Sequence, residues 1–422
     1  MSSKIIEPEW DVVIAGGGPA GFFAAIRCAE LNPHVRILIL EQASQTLGKV
    51  LISGGGRCNV THACFDPAKL VTFYPRGENE LRGAFSRFQP SDTVEWFESH
   101  HAKLKTEPDG RMFPITDSSE TIANCLRDAA KKGRVQVRVG MKLLGVEKIP
   151  GNGFKLELRN ARVEPGRNEA NVFFLHTRKL LIATGSDRRT LELVKSLGHS
   201  VEEPVPSLFT FNIKDSRING LAGVSLENVT LKMDSITQHG PLLITHWGLS
   251  GPVVLRTSAW GARELHHMKY RTQLTVNWLG DMSLEKALDI LNRNKEWKEN
   301  ARKKVSTTPA FSQIPQRLWK QLVESTGDKN WADVSKVELR RLAEDLTAGA
   351  FLIEGKGQFK DEFVTCGGVK LDEVNFKTMQ SRLIQNLFFA GEVLNIDGIT
   401  GGYNFQSSWT TGWLAGSAMS AD

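Results

Sequence analysis

Short runs of apolar residues, each closed by glycine or polar turn residues, set the rhythm of the first 190 positions. Asp11–Ala15, Val35–Leu40, Val135–Val139 and Lys179–Gly185 are such runs. A strand covered on both faces is apolar throughout, so these predict a parallel sheet. Phe22–Leu31 and Thr121–Lys132 carry helical spacing between them. Gly145–Arg159 and Phe173–His176 predict a small antiparallel section. The pattern changes near residue 191. From Val205 to Leu279 it alternates with period two and many turns, which predicts a β-rich, barrel-like subdomain. Ser283–Leu346 is charged and helically spaced. From about Thr347 the strand–turn rhythm resumes, closing with a strand at Leu387–Ala390 and a helix from Tyr403 to Ala418. The predicted fold class is α/β. A discontinuous Rossmann-like domain (1–190 and 350–422) is interrupted by a β-rich segment (191–280) and a small helical one (281–349).

Glycines at both ends of the discontinuous domain carry the chemistry. The first strand runs into Gly16-Gly17-Gly18-Pro19-Ala20-Gly21 and then a helix. In this order, Gly16 permits the tight turn, Gly18 lets backbone approach a pyrophosphate, and Gly21 lets helix and strand pack closely. The helix N-terminus offers free N–H groups to phosphate. The second strand ends at Glu41, where a carboxylate can accept hydrogen bonds from a ribose 2′-hydroxyl and disfavours a 2′-phosphate. The last strand ends at Gly391-Glu392. Asp397-Gly398 and Gly401-Gly402-Tyr403-Asn404 follow and open the final helix. That helix N-terminus can face flavin N1 and O2, where reduction places negative charge. A dinucleotide turn at one end and a flavin-facing helix at the other predict bound FAD. The insert lacks a second GxGxxG, so any nicotinamide donor would bind transiently.

Composition narrows the class. The chain has 422 residues, 41% hydrophobic, with net charge +6. Met1–Trp10 holds no apolar signal core, and no run reaches the length of a membrane span, so a cytoplasmic, non-membrane protein is expected. Five scattered cysteines without CxxC read as reduced thiols and argue against a dithiol–disulfide reductase. The densest basic cluster, Lys295–Lys304 with Lys298, Arg302 and Lys303, also holds Glu296 and Glu299 and reads as a solvated helix face. No RNA-binding signature accompanies it, so a nucleic-acid partner is not expected. His100-His101 and His266-His267 lack companions at ligand spacing, and no metal site is expected. Oligomeric state is not legible.

Three further segments are candidates. Ser53-Gly54-Gly55-Gly56-Arg57-Cys58-Asn59 carries the entropic penalty of consecutive glycines, which close approach to a flavin ring or phosphate would justify. Arg57 could pair with phosphate or substrate. Thr365-Cys366-Gly367-Gly368-Val369 could turn amides toward the ring, with Cys366 a candidate proton donor. Thr245-His246-Trp247-Gly248-Leu249-Ser250-Gly251-Pro252 offers His246 as a candidate general acid. Ser250, with Pro252 just inside, reads as a helix start. Each has a structural alternative: a surface loop for the glycines, packed thiols for Cys58 and Cys366, and a satisfied histidine for His246.

On these motifs the chain resembles the bacterial BaiN-type flavoproteins, also described as aminoacetone-oxidase-family FAD-binding enzymes. The resemblance covers nearly the whole chain. It implies a Rossmann-like FAD domain with an inserted barrel-like domain and a small helical domain. Two positions depart from the family pattern: Asn395 replaces an Asp, and His62 replaces an Asn. The expected catalytic residues are Arg57, His246 and Cys366. Cofactor contacts are expected at Gly16, Gly18, Pro19, Ala20, Gly21, Glu41, Gln42, Lys49, Ser53, Gly55, Gly56, Arg57, Cys58 and Asn59. They are also expected at Val139, Thr184, Gly185, Gly391, Glu392, Asp397, Gly401, Gly402, Tyr403 and Asn404. Three functions stay open: an NAD(P)H-driven reductase of a small acceptor such as an activated alkene, an amine-type oxidase using oxygen, and a flavin-bound, non-enzymatic redox-responsive or RNA-binding protein.

Overall fold

The computed structural model describes residues 10–149, 151, 153–160, 172–327, 329–357 and 364–421. Two compact units emerge, one formed by residues 1–204 and 365–422 and the other by 205–364.

In the first unit five strands run parallel in the order Leu387–Phe389, Val172–Ile182, Trp10–Ala15, Ile37–Glu41, Gln136–Val139. The registers place Val13 opposite both Leu38 and Leu180. Val12, Val13 and Ile14 are fully buried, as the unbroken apolar run requires. The C-terminal ends of all five strands share one edge, where Ala15, Glu41, Val139, Ile182 and Phe389 lie. Ligands of open parallel sheets bind at this edge. The sequence separates Phe173–His176 from the strand at Lys179. The structure joins them in one strand, Val172–Ile182, whose first half pairs antiparallel with Gly153–Asn160 before it enters the parallel sheet. The apparent break at Thr177-Arg178-Lys179 is the place where the strand changes partners.

Two helices of this unit pack on each other. Pro19–Leu31 and Tyr403–Met419 pack side by side and parallel, with Ala20 against Gly412 and Ala24 against Gly416. Arg27 Nε donates to Ser417 Oγ at 3.1 Å and Asn32 Nδ2 to Ser420 O at 3.1 Å, extending the same register. A Cβ on Gly412 or Gly416 would stand 2.6 or 2.4 Å from the carbonyl oxygens of Ala20 and Ala24. The glycines set the closeness of the pair.

The second unit holds a seven-stranded antiparallel sheet. Its order is Gly349–Ile353, Thr272–Asn277, Ser225–Met233, Ile236–Thr245, Gly248–Ser250, Phe211–Asn212, Gly355–Lys356. The first and last strands of that order are joined in the chain by Glu354 alone, so the sheet curls back on itself. Helices Leu284–Glu296, Gln316–Leu322 and Lys336–Ala348 share one core with it, in which Trp278, Trp319 and Trp331 are fully buried. Ser250 is the last residue of a strand, and the cap of the helix Pro252–Trp260 is Gly251, with φ at 96°. The basic cluster also departs from the expected helix, which ends at Glu296.

Candidate active site

The first glycine turn divides its labour. A Cβ at Gly16 would lie 2.3 Å from Ala183 O, and one at Gly21 would lie 2.0 Å from Gly16 O. Those two glycines serve the fold. A Cβ at Gly18 would meet no protein atom within 4 Å. Gly18 is extended (φ −90°, ψ −171°), a conformation any residue adopts, so its bareness is not needed by the backbone. The open volume lies at the first helix N-terminus, which has no side-chain cap and no acid in its first turn. Free N–H groups beside empty space form a cradle for a pyrophosphate.

Glu41 is held above the neighbouring strand end. Its Oε2 accepts from Gly17 N at 2.9 Å and its Oε1 from Ala43 N at 2.7 Å. Val139 is its register partner, and Gly140 N closes on Ala43 O at 2.9 Å. Gln42 follows Glu41 in the same turn. Two amides fix the carboxylate while leaving lone pairs for a ribose. Glu41→Ala is expected to weaken FAD by about 1–3 kcal/mol, the worth of a hydrogen bond to a charged group. Equilibrium titration with FAD checks this, and an unchanged affinity would show that Glu41 does not carry the ribose.

The second glycine segment lies farther along the same helix pair. Tyr403 precedes Gly412 by nine residues, and Gly412 is where the first helix begins alongside. At 1.5 Å per residue, the two helix N-termini are staggered by about 13 Å. The last helix also lacks a side-chain cap and an acid in its first turn. Two bare N-termini offset along one line suit an elongated ligand with charge at both places. Gly402 caps the last helix at φ 95°, and a Cβ there would strike Thr61 O at 2.5 Å. Gly401 precedes it. Asn404 clamps the turn before it: its Oδ1 accepts from Gly398 N at 2.8 Å and its Nδ2 donates to Gly398 O at 2.9 Å. Tyr403 is buried against Phe73 and His62, with ring centroids at 4.7 and 4.8 Å.

The chain leading into the three consecutive glycines begins as a helix at Gly48. Ser53, Gly54 and Gly55 leave helical geometry, and Gly54, Gly55 and Gly56 all take positive φ. The glycines end the helix and turn the chain back. Lys49 meets Glu392 in an ion pair that ties this segment to the last strand's turn. Asn59, in the amide orientation that satisfies both ends, accepts from Gly402 N at 3.0 Å and donates to Thr61 O at 3.0 Å. Gly391 lies against Ala20, and its N–H donates to Thr411 Oγ1 at 2.9 Å. The Val364–Val369 strand joins the same group, since a Cβ on Gly368 would stand 2.4 Å from Val393 O. Beside Gly185, Thr184 Oγ1 is buried without a protein partner, as is Asn395 Oδ1. Buried polar atoms without a protein partner are the kind a polar ligand satisfies.

Of the three expected catalytic residues, Arg57 and Cys366 lie in the first unit and His246 lies in the second. Arg57 Nη1 donates to Glu107 Oε1 at 2.6 Å and lies 3.6 Å from Asp117, with its guanidinium 4.0 Å above the Phe113 ring. Those carboxylates are its protein partners, and the Glu107 hydrogen bond is the main cause raising its pKa. Cys366 is buried in the Val364–Val369 strand. His246 is exposed at a hairpin turn of the second unit. Cys58, at φ 62°, is fully buried. Burial pushes its thiol up to about 12, despite Ser53 beside it. At pH 8 its thiolate fraction is on the order of 10⁻⁴. Cys58 is expected to resist iodoacetamide in the native protein and react on denaturation, which peptide mass spectrometry would show; rapid native labelling would refute its burial.

Sequence reasoning missed Arg76. Its guanidinium forks onto Asp397, with Nε to Oδ1 at 2.5 Å, and Asp397 is fully buried. Asp397 is thus neutralised within the protein and braces the turn before the last helix. Gln406 was also missed. It is buried between Thr61 at 2.6 Å and Thr93 at 2.9 Å. Nothing local in the sequence marks either partner, since Arg76 and Asp397 lie 321 residues apart.

The HI0933-like protein Rossmann domain matches residues 10–418. The chain is 27% identical over 419 residues to the ribosomal RNA dihydrouridine synthase of Escherichia coli strain K12, covering 96% of each. It is 28% identical over 417 residues to the 3-dehydro-bile acid delta(4,6)-reductase of Clostridium scindens, covering 96% of this chain and 98% of that one. Among solved structures, the 3-ketosteroid-delta4-(5alpha)-dehydrogenase of Rhodococcus jostii RHA1 shares the fold, with a TM-score of 0.52 at 13% identity over 100% of this chain and 99% of the other. The chain belongs to the HI0933-like Rossmann-domain family of FAD-binding oxidoreductases.

Proposed function

We propose that this FAD-dependent oxidoreductase takes two electrons from NADH or NADPH and adds them, with two protons, across an activated carbon–carbon double bond. When bound, FAD supplies the two-electron relay between donor and acceptor. The Gly18 turn and Glu41 hold the adenosine diphosphate half. The N-terminus of the helix Tyr403–Met419 favours negative charge at the ring. The Lys49–Glu392 pair and the Asn59–Gly402 bond keep the two glycine segments together around the cofactor. A nicotinamide donor binds in passing, because the sequence holds no second GxGxxG.

One observation carries the reading. Two relatives matched over almost their full lengths are both named for changes at carbon–carbon double bonds. A dihydrouridine is a uridine with its ring double bond saturated, and delta(4,6) names two double bonds of a steroid acid. The chemistry common to those names is an alkene conjugated to a carbonyl, and the reading needs no more than that.

The test is anaerobic. FAD-loaded protein is mixed with NADH, then NADPH, and watched at the visible flavin bands. Bleaching by either, followed by recolouring on addition of a conjugated steroid enone or a uridine-containing RNA, is the expected result. A flavin that stays oxidised with both nicotinamides, and forms peroxide with an amine in air, would replace this reading with an oxidase.

A further inference from the structure

Helix Leu284–Glu296 stops just where the basic cluster begins. The chain turns out at Trp297, in extended geometry, with its N–H donating to Arg293 O at 3.0 Å. Trp297 is 61% exposed. Around it, Arg293–Lys304 holds six cations against the two carboxylates Glu296 and Glu299. Lys298, Arg302 and Lys303 are exposed. Arg293 is engaged by Asp289 at 2.5 Å, and Lys295 Nζ is drawn onto Val334 O.

The second half of the turn is nevertheless pinned to the unit by backbone hydrogen bonds. Trp331 N donates to Lys303 O, Ala332 N to Ala301 O and Val305 N to Lys329 O, each at 3.0 Å. Trp331, Val305 and Val334 are buried in the core beneath. An indole on this hydrogen-bonded turn leaves most of its surface in water. With its backbone so bonded, it costs little further entropy when something stacks on it. An aromatic platform flanked by exposed cations binds unpaired bases by stacking and their phosphates by charge; of these cations, Lys303 Nζ also donates to Asn300 Oδ1 at 3.3 Å. A membrane-seeking surface would need an apolar helical face, and this turn presents one ring among charges.

We propose that the Arg293–Lys304 turn docks a single-stranded segment of RNA, with an unpaired base on Trp297 and phosphates on Lys298, Arg302 and Lys303. The inference rests on the proposed function in one respect: the reducible double bond would then be carried by an RNA base. RNA is favoured over DNA by the full-length likeness to a relative named for ribosomal RNA.

The experiment titrates the full-length, FAD-loaded protein into a labelled unstructured oligoribonucleotide at several salt concentrations, with anionic phosphatidylserine vesicles as a second probe. Trp297→Ala is expected to weaken RNA binding about tenfold or more and to abolish RNA-dependent quenching of tryptophan fluorescence. The double variant Lys298→Glu with Arg302→Glu should reduce the slope of log K against log salt by at least about 1.4, at about 0.7 for each phosphate contact. FAD content and bleaching by nicotinamide should match the parent in both. Parent-like RNA binding by both variants would overturn the proposal, as would a parent that ignores RNA and binds vesicles through this turn. RNA binding through the turn without any nicotinamide-driven bleaching would leave the docking surface standing and remove the reductase reading.

Discussion

Gly18→Val folds normally and carries no flavin. The position is extended, and its Cβ would meet no protein atom within 4 Å, so the protein itself has no objection to a side chain there. The valine methyl groups would instead fill the volume at the first helix N-terminus in which a pyrophosphate is expected. Its thermal midpoint without cofactor should stay within a few degrees of the parent's, while the visible flavin bands vanish even after dialysis against FAD. Gly16 and Gly21 are the contrast. A Cβ there drives into backbone oxygen at 2.3 and 2.0 Å, so those substitutions damage the fold before they reach the ligand. A yellow, stoichiometric Gly18→Val protein would remove the pyrophosphate from this turn.

Gly416→Val should destabilise the first unit by about 3 kcal/mol, the upper range for overpacking against atoms that cannot move aside. The Cβ would stand 2.4 Å from Ala24 O and 2.9 Å from Arg27 Cβ. The helices Pro19–Leu31 and Tyr403–Met419 would have to separate or slide. Thermal midpoints should fall by on the order of 10 °C. FAD affinity should fall too, although residue 416 lies far down the helix, because the stagger between the two N-termini depends on this packing. A wild-type midpoint would show that the helices are not held at this distance. A lowered midpoint with unchanged FAD affinity would separate the stagger from binding.

The sequence made some of this legible and hid the rest for physical reasons. Gly16, Gly18 and Gly21 with Glu41 could be read because each requirement is local: a turn, an approach, a helix start and a strand end follow one another in the chain. The barrel-like character of the second unit showed in period-two alternation. Lys295–Lys304 misled because helical composition continues past the point where the helix stops, and Trp331 and Ala332, about 30 residues later, draw the chain into a turn. Thr177–Lys179 misled because a strand that changes partners reads as two. Arg76 with Asp397, and Thr61 with Gln406, were invisible because partners so distant in sequence meet only in the fold.

A single FAD is expected to be held by both glycine segments, with its adenosine half on Gly18 and Glu41. The most direct test is a parallel titration of the flavin-free protein with FAD and with FMN, which lacks that half. Saturation by a single equivalent of FAD, with FMN weaker by several orders of magnitude, is the predicted result. Equal affinity for the two, or failure to retain either, would contradict it.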